Sequence, residues 1–325
     1  MPRRSLLCRG VSVLAVAAGL SFAAPAAADP LKYLPDGTML VLRLDVKQFL
    51  QSPAIRGDDK GFRKEMGELK KALEPFGIDP TKDVNQAVFA AGEQLKAANM
   101  VLLLVGQFDP AKVQGRLKDL ARQRKDDLQE IDEGGATIFQ GRMPRQAVPN
   151  PTFTPPERFY VTVLDEHTIG FAADRAALTD ALAKRSGSRK PNLKPRVAEL
   201  IAAAPKETLS VVFVPPAGFG GESAAGLTSI TGGVTFADAI KTDLKLTTKD
   251  AAAAKKLAGD INDGLTRIKE LLPGLAAFQP GVGPKEQAMI KDVLDTFKAT
   301  AAGDAVTLTS TISRELFEKN ARKDQ

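Results

Sequence analysis

Residues 100–110 read Met-Val-Leu-Leu-Leu-Val-Gly-Gln-Phe-Asp-Pro. The opening apolar run is long enough for a strand buried on both faces. Asp109 then supplies an N-cap carboxylate, and Pro110 suits a first helical position, where a missing N–H costs nothing. Val113, Leu117, Leu120 and Ala121 follow on the buried side of the helix this predicts. The same succession of strand, capping Asp or Ser, and helix recurs at Asp174, Asp250 and Ser313.

Other strands announce themselves by alternation. Leu40, Leu42, Leu44 and Val46 share one face against Arg43 and Asp45. Ile240, Leu244 and Leu246 face inward while Lys241, Asp243 and Lys245 face water. Val306, Leu308, Ser310 and Ile312 oppose Thr307, Thr309 and Thr311. Residues 159–164 and 168–172 form two strands joined at Asp165-Glu166-His167, a hairpin. Phe62, Met66, Leu69, Leu73 and Phe76 recur at helical spacing over 61–75, as do Ala254, Leu257, Ala258, Ile261, Leu265 and Ile268 after Asp250. A further helix carries Met289, Ile290, Val293, Leu294 and Phe297. The expectation is an α+β fold of two related strand–helix units, 29–188 and 189–325, with largely antiparallel sheets and helices covering one face.

The N-terminus sets the compartment. Arg3, Arg4 and Arg9 precede an apolar run over 11–24, and Ala26, Ala27 and Ala28 close the segment. A basic start, a short apolar middle and small residues at the end make a cleavable secretory leader over 1–28. The apolar run is too short for a helix to span a hydrocarbon core of ~30 Å. The leader carries three of the 45 basic residues and none of the 39 acidic ones, so residues 29–325 hold 42 against 39, a net charge of +3. Charge that sparse is no nucleic-acid footprint. The single cysteine, Cys8, lies in the leader, so the mature chain is cysteine-free and offers no redox chemistry.

Two long loops interrupt the pattern: residues 141–157, with five prolines, and residues 215–233, rich in Gly, Ser and Ala. Between the two units Lys184, Arg185, Arg189, Lys190, Lys194 and Arg196 fall within thirteen residues that hold no acid. This basic stretch reads either as a docking stripe for an anionic partner or as a solvated linker, the nearby Pro191, Pro195 and Gly187 suiting the linker.

Chemistry-bearing residues are scarce. Gly221-Glu222-Ser223-Ala224-Ala225-Gly226, after an apolar strand over 209–214, resembles the nucleophile elbow of the α/β-hydrolase family, although Ala225 occupies the second glycine's place. That family's order needs a His after the serine, and none follows Ser223; the chain's one histidine is His167. Asp165 and Glu166 flank His167 as polar residues of a hairpin tip. Asp260-Ile261-Asn262-Asp263-Gly264 begins like a calcium loop but sits within an apolar-periodic helix. No catalytic, cofactor-binding or metal-ligating set is expected.

Tyr33-Leu34-Pro35-Asp36-Gly37-Thr38, the strand through Asp45-Val46, and Ser52-Pro53 together look like the opening of a group of exported planctomycete proteins of unknown function. The resemblance implies an envelope or secreted location and an α+β fold, and transfers no activity. The expected function is therefore that of an exported, non-catalytic binding or structural protein of the cell envelope, periplasmic or extracellular, acting on another envelope protein or an anionic surface. The alternatives are a serine hydrolase using Ser223 and a carrier of an apolar ligand between helices and sheet.

Overall fold

The computed structural model describes residues 29–53, 60–93, 99–142, 157–224, 226–278 and 284–315. The leader, most of the proline-rich loop, Ala225, the Ser223 side chain and all but the first residues of the helix expected after Ser313 lie outside the described residues.

The first seven strands are β1 (Thr38–Asp45), β2 (Val84–Gly92), β3 (Met100–Gly106), β4 (Leu128–Glu133), β5 (Ala136–Arg142), β6 (Arg158–Asp165) and β7 (Thr168–Ala172). The remaining five are β8 (Leu209–Phe213), β9 (Leu227–Phe236), β10 (Ala239–Thr248), β11 (Lys298–Ala302) and β12 (Ala305–Ser313). The helices are α1 (Val46–Gln51), α2 (Lys60–Leu73), α3 (Pro110–Gln123), α4 (Arg175–Arg185), α5 (Pro195–Ala203), α6 (Ala251–Phe278) and α7 (Pro284–Thr296). All twelve strands form one sheet, ordered β11-β12-β10-β9-β8-β1-β2-β3-β7-β6-β5-β4, and the neighbours pair antiparallel. The fold is α+β. Strands β1–β7 occupy one half of this sheet and β8–β12 the other, meeting where β8 pairs with β1.

The caps expected at three helix starts are formed. The Asp109 carboxylate accepts from the Lys112 N–H at 3.0 Å, Asp174 from Ala176 at 2.9 Å, and Asp250 from Ala253 at 2.7 Å. Each satisfies one donor that a helix start leaves unpaired, worth about 1 kcal/mol.

Helices cover both faces of the first half, not one. Along β3, Val101 and Leu103 join a core with Val41, Val88, Leu178, Leu182, Val197 and Ile201, which brings α4 and α5 onto one side of the sheet, the back face. Leu104, from the opposite side of the same strand, joins Val113, Leu117, Phe139 and Val161 under α3 on the front face. In the second half a smaller core of Leu246, Ala254, Ala258, Ala299 and Val306 lies under α6, also in front. The one-face arrangement expected from the sequence does not hold in the first half.

Two segments read as irregular contain regular structure. β9 runs through the end of the Gly-rich 215–233 stretch, and α5 begins inside the basic stretch at Pro195. Gly232 and Gly233 sit mid-strand because neighbouring backbone leaves no room for a side chain. A Cβ on Gly232 would stand 2.1 Å from the Asp243 carbonyl oxygen, and its φ of +126° lies where L-residues are strained.

The open edge at β11 is shielded by a side chain. Asn262 on α6 donates from Nδ2 to the Ala299 carbonyl (3.0 Å) and accepts at Oδ1 from the Ala299 N–H (3.3 Å). One amide thus imitates a neighbouring strand where the sheet ends. At the other edge β4 carries Glu130, Asp132 and Glu133, which discourage pairing by charge.

Candidate functional site

Directly opposed residues on paired strands point to the same face, so the register identifies which side chains form a surface. One front-face row runs Phe171–Leu102–Phe89–Leu42–Val211–Gly232–Leu244–Leu308 across β7, β3, β2, β1, β8, β9, β10 and β12. Its left end belongs to the core under α3 and its right end to the core under α6. The middle belongs to neither. Phe89, Leu42 and Val211 lie outside all three cores and remain half-buried. The next row toward the α1 end, Leu44–Leu209–Val234, is half-buried too and joins no core. This band spans four strands, about 14 Å at the usual strand spacing.

The short α1 meets the band at its Leu44 end, packing on β1 and β2 with Phe49 edge-on to Phe236 at 5.0 Å, and the longer α6 and α3 lie to either side. α6 packs on β10, β11 and β12, while α3 packs toward β4 and β6. Among the described residues the large exposed apolar side chains are Leu69, Phe219, Ile268 and Leu271. Leu69 stands on α2, whose Leu73 enters the front-face core, and Phe219 packs edge-on against Phe213 at 4.9 Å. Ile268 and Leu271 continue the α6 stripe that begins with Leu257 and Ile261. All four belong to elements on the front side. A half-buried apolar floor lying between two cores is the candidate binding surface of this face.

The back face carries a different construction. Lys184 has no exposed side-chain surface, and its ammonium donates to the Leu34 carbonyl, Asp36 Oδ1 and Asp180 Oδ2, each at 2.7 Å. Arg189 closes the cluster from outside, reaching Asp36 at 2.5 Å and Asp180 at 2.7 Å. Burial by itself raises the Asp36 carboxyl, but hydrogen bonds and charge from Lys184 and Arg189 outweigh it and hold the group below its ordinary value. Beside the cluster the Tyr33 hydroxyl donates to Asp165 at 2.6 Å. Burial, then that bond and the carboxylate's charge, push the phenol well up. Asp165 is itself lowered: desolvation opposes this, but donation from Tyr33 and the His167 N–H prevails. The residues from Tyr33 to Thr38 thus work as a clasp that ties the start of the described chain to α4 and the β6–β7 hairpin.

Lys184 is consequently withdrawn from any docking stripe by burial. Arg185 donates to the Val163 and Leu164 carbonyls at 3.3 and 3.4 Å, Lys194 pairs with Glu93, and Arg196 approaches Glu199 at 3.5 Å. Of the six, Arg185 and Lys190 have no ion pair among the described residues, and Arg185 is held by backbone carbonyls instead. Between the end of α4 and the start of α5, residues 186–194 form a largely exposed connection that carries Arg189, Lys190 and Lys194, and α5 beyond it anchors Val197 and Ile201 in the core. Asp180 and Lys184 are a helical i,i+4 pair, but no local pattern pointed to Asp36, which lies 148 residues from Lys184.

The residues of the hydrolase alternative are not brought together. Gly221–Ala224 is a short 3-10 turn beyond the end of β8, near the start of β1. His167 lies at the opposite end of the sheet, its carbonyl accepting from the Gly106 N–H, and on a strand four positions away, about 19 Å. Asp260 pairs with Lys256 along α6 at 3.0 Å, and Asn262 serves β11. Among the described residues no helix is long and apolar enough to cross a membrane.

No family model matches the chain, and no curated protein matches it. Among solved structures, crystal form III of TP0453 is similar, with a TM-score of 0.47 and 14% identity over 91% of this chain and 99% of that one. Crystal form I of TP0453 gives 0.45 and 13%, over 91% and 97%. Likeness at this level identifies neither a ligand nor a site.

Proposed function

We propose that the chain is exported and serves in the cell envelope as a non-catalytic binding protein whose ligand is apolar and lies on the front-face band. The observation that carries this reading is the half-buried row of Phe89, Leu42 and Val211, which connects two cores and is covered by neither. The leader pattern over 1–28 and the resemblance of Tyr33 to Pro53 to exported planctomycete proteins support the location. An acyl chain suits the band, because the residues of its floor are aliphatic and aromatic.

The test has two arms. Native mass spectrometry of protein purified from its source should show a bound apolar mass that organic extraction removes. The recombinant chain should bind a fluorescent fatty acid, and Leu42→Gln together with Val211→Gln should weaken that binding at least tenfold while circular dichroism stays unchanged. Equal binding by the well-folded double variant, or no uptake of the fatty acid by the parent protein, refutes the assignment. Fractionation should find the chain outside the cytoplasm, beginning at Asp29.

A further inference from the structure

Beyond β8, which α5 covers from behind, no helix packs on the back of β10, β11 and β12 among the described residues. The rows of this face follow from the register: Thr231–Lys245–Thr307, Asp243–Thr309–Lys298, and Thr235–Lys241–Thr311. Lys241, Asp243, Lys245, Lys298 and Thr309 are exposed, and α6 and α7 lie on the other side of these strands. None of the three lysines has an ion pair among the described residues, in contrast to the basic stretch around α4, where five of six cations are committed to internal partners. Lys241 and Lys245 stand four residues apart on β10, about 14 Å, and Lys298 lies two strands away, about 10 Å. Hydroxyls fill the intervening positions. Asp243 sits between the lysines and can accept from a hydroxyl.

We infer that this face docks an acidic polysaccharide, its sparse carboxylates meeting Lys241, Lys245 and Lys298 and its hydroxyls meeting Asp243, Thr307 and Thr309. A nucleic acid fits less well. Its phosphates are closely spaced, Asp243 stands in their path, and the face offers no aromatic ring for a base to stack upon. At the β9 margin Gly233 contributes no side chain opposite Asp243, and the Glu207 side chain lies over it, its carboxylate accepting from the Thr235 hydroxyl. This surface is independent of the apolar band, which lies on the other side of the sheet, so either assignment stands or falls alone.

The experiment uses the full mature chain and labelled hyaluronan oligosaccharides, with neutral dextran and single-stranded DNA as comparators, followed by fluorescence anisotropy. Hyaluronan should bind, more weakly as salt rises, and dextran should not. Reversing Lys241, Lys245 and Lys298 to Glu should weaken hyaluronan binding at least tenfold, whereas reversing Lys190, Lys194 and Arg196 should change it less than twofold. Thr309→Val should weaken hyaluronan binding severalfold and leave any DNA binding unaltered. The inference is overturned if hyaluronan does not bind, if the two triple reversals weaken it equally, or if DNA binds as tightly as the glycan. These positions are solvent-facing, so unchanged circular dichroism separates lost binding from lost fold.

Discussion

β3 and β10 are strands of one sheet, yet they live in different surroundings. β3 is Met-Val-Leu-Leu-Leu-Val-Gly, with α4 and α5 packed behind it and α3 before it. β10 is Ala-Ile-Lys-Thr-Asp-Leu-Lys-Leu-Thr-Thr, with α6 in front and water behind. A strand covered on both sides must be apolar throughout, whereas a strand covered on one side must alternate. The difference teaches that the two halves are stabilised differently. The first half closes on two cores and a buried ion cluster; the second rests on one smaller core, tight backbone contacts and a capped edge.

The largest expected effect comes from breaking the buried cluster that only the first half has. Lys184→Ala leaves Asp36 and Asp180 without their buried partner and should cost about 3–5 kcal/mol. Lys245→Ala on the bare face should stay within about 0.5 kcal/mol. Urea unfolding decides this. The chain has no Trp, and both tyrosines, Tyr33 and Tyr160, lie in the first half, so tyrosine fluorescence reports on that half by itself.

Gly232→Ala tests the second half's dependence on close backbone packing. The added carbon meets the Asp243 carbonyl, and the residue must hold a left-handed φ, so a loss of about 1–3 kcal/mol is expected. Hydrogen exchange should show protection falling in β9 and β10 first and in β3 last. Uniform loss across the sheet would mean that the halves unfold as one unit.

Asn262→Ala should cost about 1 kcal/mol and matter more for association than for stability. It uncovers the Ala299 N–H and carbonyl at the β11 edge. Sedimentation velocity should then detect self-association that the parent chain lacks; a monomeric variant would show that the amide protects nothing.

Acid gives the mildest contrast near neutral pH and sharpens below it. In the first half Asp36, Asp79 and Asp165 are all lowered. Hydrogen bonds from Thr81, helped by Lys70, take Asp79 to about 2. A carboxyl lowered on folding stabilises the native state above its unfolded value of about 3.9 and loses that contribution as pH falls through the folded value. Tyrosine fluorescence should therefore hold steady from pH 8 to 5 and show weakening of the first half between about pH 4 and pH 2. The lowered carboxyl among the described residues of the second half is Asp295, on the surface beside Lys269, where solvent blunts the interaction. A second half that melted first in acid would reverse the comparison.

Legibility followed the same division. β10 and β12 could be read residue by residue because water on one side keeps their alternation clean. β3 was legible as an unbroken apolar run. β2, Val-Asn-Gln-Ala-Val-Phe-Ala-Ala-Gly, neither alternates nor runs apolar from its start. The edge strands β4 and β11 carry too little apolar surface to signal a strand, and β9 was hidden by its glycines. The apolar band escaped altogether. Leu42, Phe89 and Val211 are ordinary strand residues until β2, β1 and β8 are known to be neighbours.

The sequence by itself determined which segments bury themselves, where three helices start, and that few reactive side chains are available, because composition, periodicity and capping act within a few residues. Tertiary structure alone decided that α4 and α5 cover the back of the sheet as far as β8 while among the described residues no helix packs behind β10, β11 and β12. It also decided that Lys184 meets Asp36 and that a half-buried strip of apolar sheet lies between two cores and belongs to neither. Strand order and register bring together residues more than a hundred positions apart, and no local pattern encodes that distance.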